Sequence, residues 1–260
     1  MKSVRHFLLI PLLILGGFSF ANESSKPVSE KAAKGNPAKA SKSVNLSHRD
    51  AWTEPAKWRD AAEIAGSPVE KKWKKVKSGK GIIYNGSSGK AGDLVSKASF
   101  GDCEIDVEFM IPKGSNSGLY LMCRYEVQIL DSFGKADGEL GHGDCGGIYQ
   151  RWDETKEKKS ERGYEGTPPR TNASAAPGAW QRFRIQFRAP RFDPSGNKTE
   201  NARFVRVVHN GVIIHTDVEV TGPTRGGAGG PEVTSAPLRV QGDHGPVAIR
   251  KLVVKSSQFD

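Results

Sequence analysis

The chain has 260 residues, with 39 Lys and Arg against 29 Asp and Glu, and a formal net charge of +10. Half of that excess lies in residues 1–47, which hold seven Lys or Arg and two Glu. The remaining residues are only mildly basic, which excludes a nucleic-acid footprint and leaves no nucleic-acid partner to expect. Taken in chain order, Lys2 and Arg5 precede an apolar run from Phe7 to Leu15, and Ser19 and Ala21 are small residues at the positions a signal peptidase reads. Residues 1–21 are therefore expected to be a signal peptide cleaved after Ala21. The run is short for a membrane span and polar sequence follows it, so no stable membrane insertion is expected after cleavage. The protein is expected to be exported, either secreted or periplasmic. Residues 22–47 are rich in Lys, Ser, Ala, Asn and Pro and read as a linker that cannot bury enough surface to order itself. Residues 48–260 suit one domain with a sizeable core.

Within that domain the pattern is strand after strand. Residues 81–84, 93–96, 103–111, 119–131, 180–188, 203–209, 212–220, 238–241 and 247–255 read as strands, and only 55–64 suggests a short helical turn. His209-Asn210-Gly211-Val212 asks for a tight hairpin with positive φ at both turn residues. Short strands with turn signals and no alternating helices predict an all-β sandwich. Two long loops, 132–147 and 153–178, stand out as candidate functional segments. Cys103, Cys123 and Cys145 have neither disulfide-framework nor zinc spacing. Cys103 and Cys123 fall on predicted strands and read as buried free thiols, although export also permits one bridge.

Two stretches carry chemistry. In 103–109, Glu104, Asp106 and Glu108 alternate with Cys103, Ile105, Val107 and Phe109. Three carboxylates on one face repel, and a covered face would raise the pKa of one of them. In 118–131, Leu119, Leu121, Cys123, Tyr125, Val127 and Ile129 are predicted to face the core. Arg124, Glu126 and Gln128 then form a polar stripe on the other face, with Arg124 placed to hold Glu126 ionised.

Several motifs together resemble one family. They are Phe100-Gly101-Asp102, Val107-Glu108-Phe109, Asn116-Ser117-Gly118-Leu119-Tyr120, Tyr125-Glu126-Val127-Gln128-Ile129-Leu130-Asp131, Gly147-Ile148-Tyr149, Asn172-Ala173-Ser174, Pro177-Gly178-Ala179-Trp180 and Leu238-Arg239-Val240-Gln241 with His244-Gly245 and Arg250. In this order, over about residues 50–258, they resemble the 3-keto-disaccharide hydrolase domain, also described as a 3-keto-glucoside 1,2-lyase and 3-keto-2-hydroxy-glucal hydratase. The resemblance implies a concanavalin A-like β-sandwich, or jelly roll, of two antiparallel sheets with a sugar site on the concave sheet. It implies a small-molecule or oligosaccharide substrate already oxidised at C3. Loops 132–147 and 153–162 are longer and more charged than that pattern, and Lys251 stands where Asn is expected.

The implied chemistry needs a base for the C2 proton, a donor at the ketone oxygen and an acid at the leaving oxygen. Glu126 or Glu108 is a candidate base, Arg124 a candidate partner for Glu126 or the enolate, and His244 a candidate acid or alternative base. Asn116, Tyr120, Gln128, Asp131, Tyr149 and Gln241 are candidate sugar-binding residues. The residues require no cofactor; a divalent metal stays open, with His142 and Asp144 as weak candidate ligands. Two other readings share the sandwich. Glu104, Asp106 and Glu108 match the Glu-x-Asp-x-Glu strand of laminarinase-type retaining glycosidases, and Tyr120 with Trp152 would suit a non-catalytic carbohydrate-binding module.

Overall fold

The computed structural model describes residues 42–53, 55 and 57–260. The leader over 1–21 and residues 22–41 of the expected linker lie outside the described residues, whereas residues 42–47 differ from that expectation: Ser43–Asn45 pair with Val253–Lys255 and Leu46 is buried in the core. In chain order the strands are β1 (Ser43–Asn45), β2 (Trp52–Thr53), β3 (Arg59–Gly66), β4 (Trp73–Tyr84), β5 (Leu94–Phe100), β6 (Cys103–Met110), β7 (Asn116–Leu121) and β8 (Tyr125–Leu130). They continue as β9 (Arg151–Trp152), β10 (Gly163–Tyr164), β11 (Trp180–Arg188), β12 (Arg191–Phe192), β13 (Lys198–Glu200), β14 (Ala202–His209), β15 (Val212–Val220), β16 (Ala236–Val240) and β17 (Ala248–Ser256). Among the described residues the only helical segments are three short 3-10 turns. No helix among them is long and apolar enough to cross a membrane.

Two antiparallel sheets form the expected β-sandwich. One has eight strands in the order β15-β14-β11-β6-β17-β4-β3, with β1 beside β4 on the same edge of β17. The other has five, in the order β2-β5-β16-β7-β8. Between them lies one core, in which Ile105, Val107 and Phe109 of β6 and Phe183 and Phe187 of β11 meet Leu119 and Leu121 of β7 and Tyr125, Val127 and Ile129 of β8. The period-2 alternation read from the sequence is what assigns these side chains to the core, since successive strand residues point to opposite faces.

Two elements differ from expectation. The predicted helical turn at 55–64 is largely β3, because Ala61, Ile64 and Gly66 are buried and the strand pairs with β4 along its length. Its Ala-rich composition favours helix, and tertiary pairing overrides that preference. The predicted continuous strand 119–131 is a hairpin. Met122 and Cys123 turn with φ of +54° and +57°, closed by Arg124 N–H donating to Leu121 O at 2.9 Å. No Gly or Asn marks this turn, which is why pattern reading misses it. The three-residue turn Met122-Cys123-Arg124 keeps parity, with Leu121 opposite Tyr125, Tyr120 opposite Glu126 and Gly118 opposite Gln128. The face assignments of β7 and β8 therefore survive the misread turn. Cys123 does not sit in a strand core but half-exposed in the turn, whereas Cys103 is buried on β6; all three cysteines are free. The Asn210-Gly211 hairpin forms as predicted, with φ of +49° and +90°.

Two histidines are buried in this frame. His209 packs on Phe109 and Phe183, with Nε2 2.9 Å from Gln181 Oε1. His215 Nε2 lies 2.8 Å from Gly146 O. Burial pushes both down to about 4 from 6.5. The unfolded chain takes up protons near pH 6.5 while the fold holds these rings neutral, so stability is lost as pH falls from 6.5 towards 4, by about 3 kcal/mol for each ring. Urea midpoints are expected to drop steeply over that interval, and His215→Gln should flatten the drop; parallel pH curves for variant and parent would count against it.

Candidate active site

The outer faces of the two sheets have opposite characters. On the eight-stranded sheet, the outward residues of β6 are neutralised by their neighbours. Arg182 and Lys251 both pair with Asp106, Arg250 Nε donates to Glu108 Oε2 at 2.6 Å, and Lys255 lies 4.0 Å from Glu104. Burial works against the Asp106 charge, but hydrogen bonds from Arg182 and Lys251 hold its carboxyl below the usual range. The expected raised pKa on this stripe is thus replaced by a lowered one, since β11 and β17 flank β6 with cations. Glu108 is thereby corrected as a candidate base; Glu104 lines a separate cavity of about 350 Å³, while cations meet Asp106 and Glu108.

The five-stranded sheet carries a cleft of about 530 Å³ on its outer face. Its floor comes from a cross-strand row: Glu126 on β8 lies opposite Tyr120 on β7, which lies opposite Arg239 on β16. Same-face partners in an antiparallel pair sit within side-chain reach. Tyr120 donates its hydroxyl to the Glu126 carboxyl, and the Arg239 guanidinium stacks on the Tyr120 ring at 3.9 Å. Arg239 is otherwise held by Gly226 O at 2.6 Å and lies 3.6 Å from Asp93. Glu126 is 2% exposed. Burial drives its pKa from 4.5 up to about 8, with Tyr120 and Arg239 offsetting part of that cost. The carboxyl fits because position 118 is glycine: a Cβ there would overlap Glu126 Oε1 and stand 2.9 Å from its Cδ.

Amide side chains surround this acid. Gln128 Oε1 accepts from Ile129 N–H at 3.1 Å, and its amide nitrogen has no partner among the described residues. Asn116 Oδ1 is buried without a hydrogen bond, although buried polar atoms are normally satisfied. Gln241 is fixed beside them by its N–H donating to Gly118 O. The walls come from loops. Residues 146–149 run alongside β8, with Gln128 N–H donating to Gly147 O and Tyr149 N–H to Glu126 O, and this places Tyr149 over the floor. The β9–β10 ribbon brings Trp152 and Glu154, and the loop after β15 brings Thr224 and Arg225. His244 closes one end; it is exposed and its Nδ1 contacts Asp243.

Of the residues expected from sequence, the fold brings together Glu126, Gln128, Asn116, Tyr120, Tyr149, Gln241 and His244, with Trp152 among them. It separates three. Glu108 faces away on the other sheet. Arg124 is in the β7–β8 turn, where it donates to Met122 O and Pro231 O rather than to Glu126. Asp131 accepts from Gly114 N–H at 2.8 Å and pairs with Lys113 at 3.1 Å, a loop clasp outside the cleft. Asp144, weighed with His142 as a metal ligand, is engaged by Ser132, Lys135 and Gly141 N–H. Among the described residues no group of three His, Cys, Asp or Glu converges to hold a metal. The cation behind Glu126 and Tyr120 is Arg239, which sequence parity could have found: Ala236, Leu238 and Val240 face the core, so Arg239 faces the cleft side. Arg225 carried no such signal, because it sits in a Gly/Pro loop without periodicity.

A sequence model of the 3-keto-alpha-glucoside-1,2-lyase-like domain matches residues 45–255. Among solved structures, a candidate glycosyl hydrolase from Parabacteroides distasonis ATCC 8503 superposes with a TM-score of 0.53 at 20% identity, covering 88% of this chain and 95% of that one. A second from the same organism gives a TM-score of 0.52 at 16% identity, covering 83% and 100%. At such identities the likeness is one of fold. No curated protein matches the chain.

Proposed function

Since the chain belongs to the 3-keto-alpha-glucoside-1,2-lyase-like domain family, a carbohydrate-active family, we propose that it cleaves glycosides already oxidised at C3, by elimination followed by hydration. One observation carries this reading: a single buried carboxyl, Glu126, at the floor of a cleft lined by amides and aromatics, with its pKa near 8.

A ketone at C3 acidifies the C2–H bond. Ionised Glu126 takes that proton, and the electron pair moves into a C2–C3 enolate whose oxygen is met by the amide donors of Gln128, Asn116 or Gln241. The ketone re-forms as the pair shifts into a C1–C2 double bond, and the C1–O bond breaks. The leaving oxygen receives a proton from His244 or from the newly protonated Glu126. Water then adds across the double bond, hydroxyl to C1 and proton to C2, so that the net change is hydrolysis. A base with a pKa near 8 is better matched to a carbon acid than an ordinary carboxylate, at the expense of being mostly protonated at neutral pH. With Glu126 as the base, kcat/KM on a 3-keto-glucoside should rise about tenfold per pH unit below 8 and level off above it. A profile that falls with rising pH across this range would assign Glu126 the acid role instead.

The reading also places the enzyme outside the cytoplasm, as the leader-like residues 1–21 suggest. Mature protein from the exported fraction should begin at Asn22; recovery of only uncleaved chain in the cytoplasm would refute that.

A further inference from the structure

The cleft has a second polar centre, at its rim, that the elimination does not use. Arg225 lies over the Trp152 ring, its guanidinium carbon 3.8 Å from the ring centroid. Stacking occupies a guanidinium face and leaves the in-plane N–H donors free along its edge. The neighbouring arginines have carboxylate partners: Arg239 with Asp93, Arg151 with Glu165, and Arg162 with Glu154. Among the described residues no carboxylate pairs with Arg225. Glu154, the other charged side chain at this rim, is already taken by Arg162.

Arg225 is presented by a fixed backbone. Its own N–H donates to Gln150 O at 2.7 Å. On either side, Thr224 N–H donates to Arg124 O, Gly227 N–H to Thr224 O, and Ala228 N–H to Cys123 O. A Cβ at position 227 would overlap Arg124 O and stand 2.8 Å from Thr224 O, so the loop admits no looser path there. The same loop is tied to the catalytic strand, because Glu126 N–H donates to Thr224 Oγ1 at 3.1 Å. The spacing between floor and rim is thus set by hydrogen bonds.

From this we infer that the Trp152–Arg225 pair is a subsite for a carboxylate carried by the leaving group of the substrate. The inference rests on the proposed reading for the seating of the oxidised ring against Glu126, and it puts the C1 substituent on the Trp152–Arg225 side of the cleft. A singly charged, planar carboxylate matches one unpaired guanidinium edge in a bidentate fork. The Trp152 ring supplies an apolar wall for the body of an aromatic or sugar leaving group. The inference names the substrate class: glycosides whose aglycone or second sugar is an acid.

The test separates this from the elimination chemistry by measuring binding. Affinities of 4-carboxyphenyl glucoside and its 4-carbamoylphenyl isostere are compared by titration calorimetry at low salt. The carboxylate is expected to bind about tenfold more tightly, the advantage shrinking as salt is raised. Arg225→Gln should reduce the ratio to near one, and Arg225→Lys should keep part of it, as a point charge without the fork. Equal affinities in the parent, or a ratio unchanged in Arg225→Gln, would overturn the inference. So would a preference seen only between methyl glucuronoside and its amide, which would put the carboxylate on the seated ring. If the ratio holds while a 3-keto-glucoside shows no C2 exchange or elimination with the protein, the subsite stands and the reaction assignment fails.

Discussion

Glu126→Gln is expected to lower turnover of a 3-keto-glucoside by about a thousandfold or more, within the range a positioned base supplies, and at the same time to make the protein more stable at alkaline pH. Both effects follow from one property. The carboxyl is buried at the cleft floor and keeps its proton up to about pH 8, whereas in the unfolded chain it ionises near 4.5. Between those values the unfolded state releases a proton that the folded state retains, so stability falls as pH rises from 4.5 to 8. Above pH 8 the penalty is complete, on the order of 4 kcal/mol. Glutamine keeps the shape and still accepts the Tyr120 hydroxyl but cannot ionise. Its melting temperature should exceed the parent's by several degrees at pH 9 and match it near pH 4. A difference that does not change with pH would show that Glu126 is not the strained group described here.

The second large effect is expected at a residue that never touches substrate. Gly118→Ala would set a methyl group on the Glu126 Oε1 position, 2.9 Å from Cδ and 3.1 Å from Cγ. Gly118 is required for space, because the carboxyl lies against its Cα across the β7–β8 pair. The substitution should cost about 1–3 kcal/mol in stability, the usual range for overpacking. It should also reduce turnover at least about a hundredfold, since the displaced carboxyl loses its aim at the substrate. In a Glu126→Ala background the same methyl group meets little, so most of the stability cost should disappear, a coupling of about 1–2 kcal/mol in the double-mutant cycle. Strict additivity in urea unfolding would mean that the glycine matters for another reason.

How much of this was legible in the sequence depends on the kind of signal. Strand parity is local and strict, so Glu126, Gln128 and Tyr120 were placed on one face from alternation, and the Asn210-Gly211 turn was placed from its residue types. Parity does not say which sheet a strand joins. Glu104, Asp106 and Glu108 showed as clean an alternation as the β8 stripe, yet β6 lies in the other sheet and its carboxylates meet Arg182, Arg250 and Lys251. Arg124 was misassigned for a different reason. Met122 and Cys123 take left-handed φ without a glycine or asparagine to announce it, so a turn residue looked like a strand residue. Arg225 and Glu154 lie on loops whose positions are set by backbone hydrogen bonds to distant strands, and nothing periodic marks them. The family resemblance supplied the order of the motifs and the C3-oxidised substrate; the position of Glu126 within the cleft came only from three-dimensional pairing.

The central claim is that Glu126 moves the proton at C2 of a glycoside oxidised at C3. The most direct measurement is deuterium exchange at that carbon, followed by NMR in heavy water with a 3-keto-glucoside. Exchange or elimination that depends on the protein, grows with pD up to about the Glu126 pKa and is absent in Glu126→Gln is the predicted result. A substrate that binds in the cleft and keeps its C2 proton in the presence of the parent protein would contradict it.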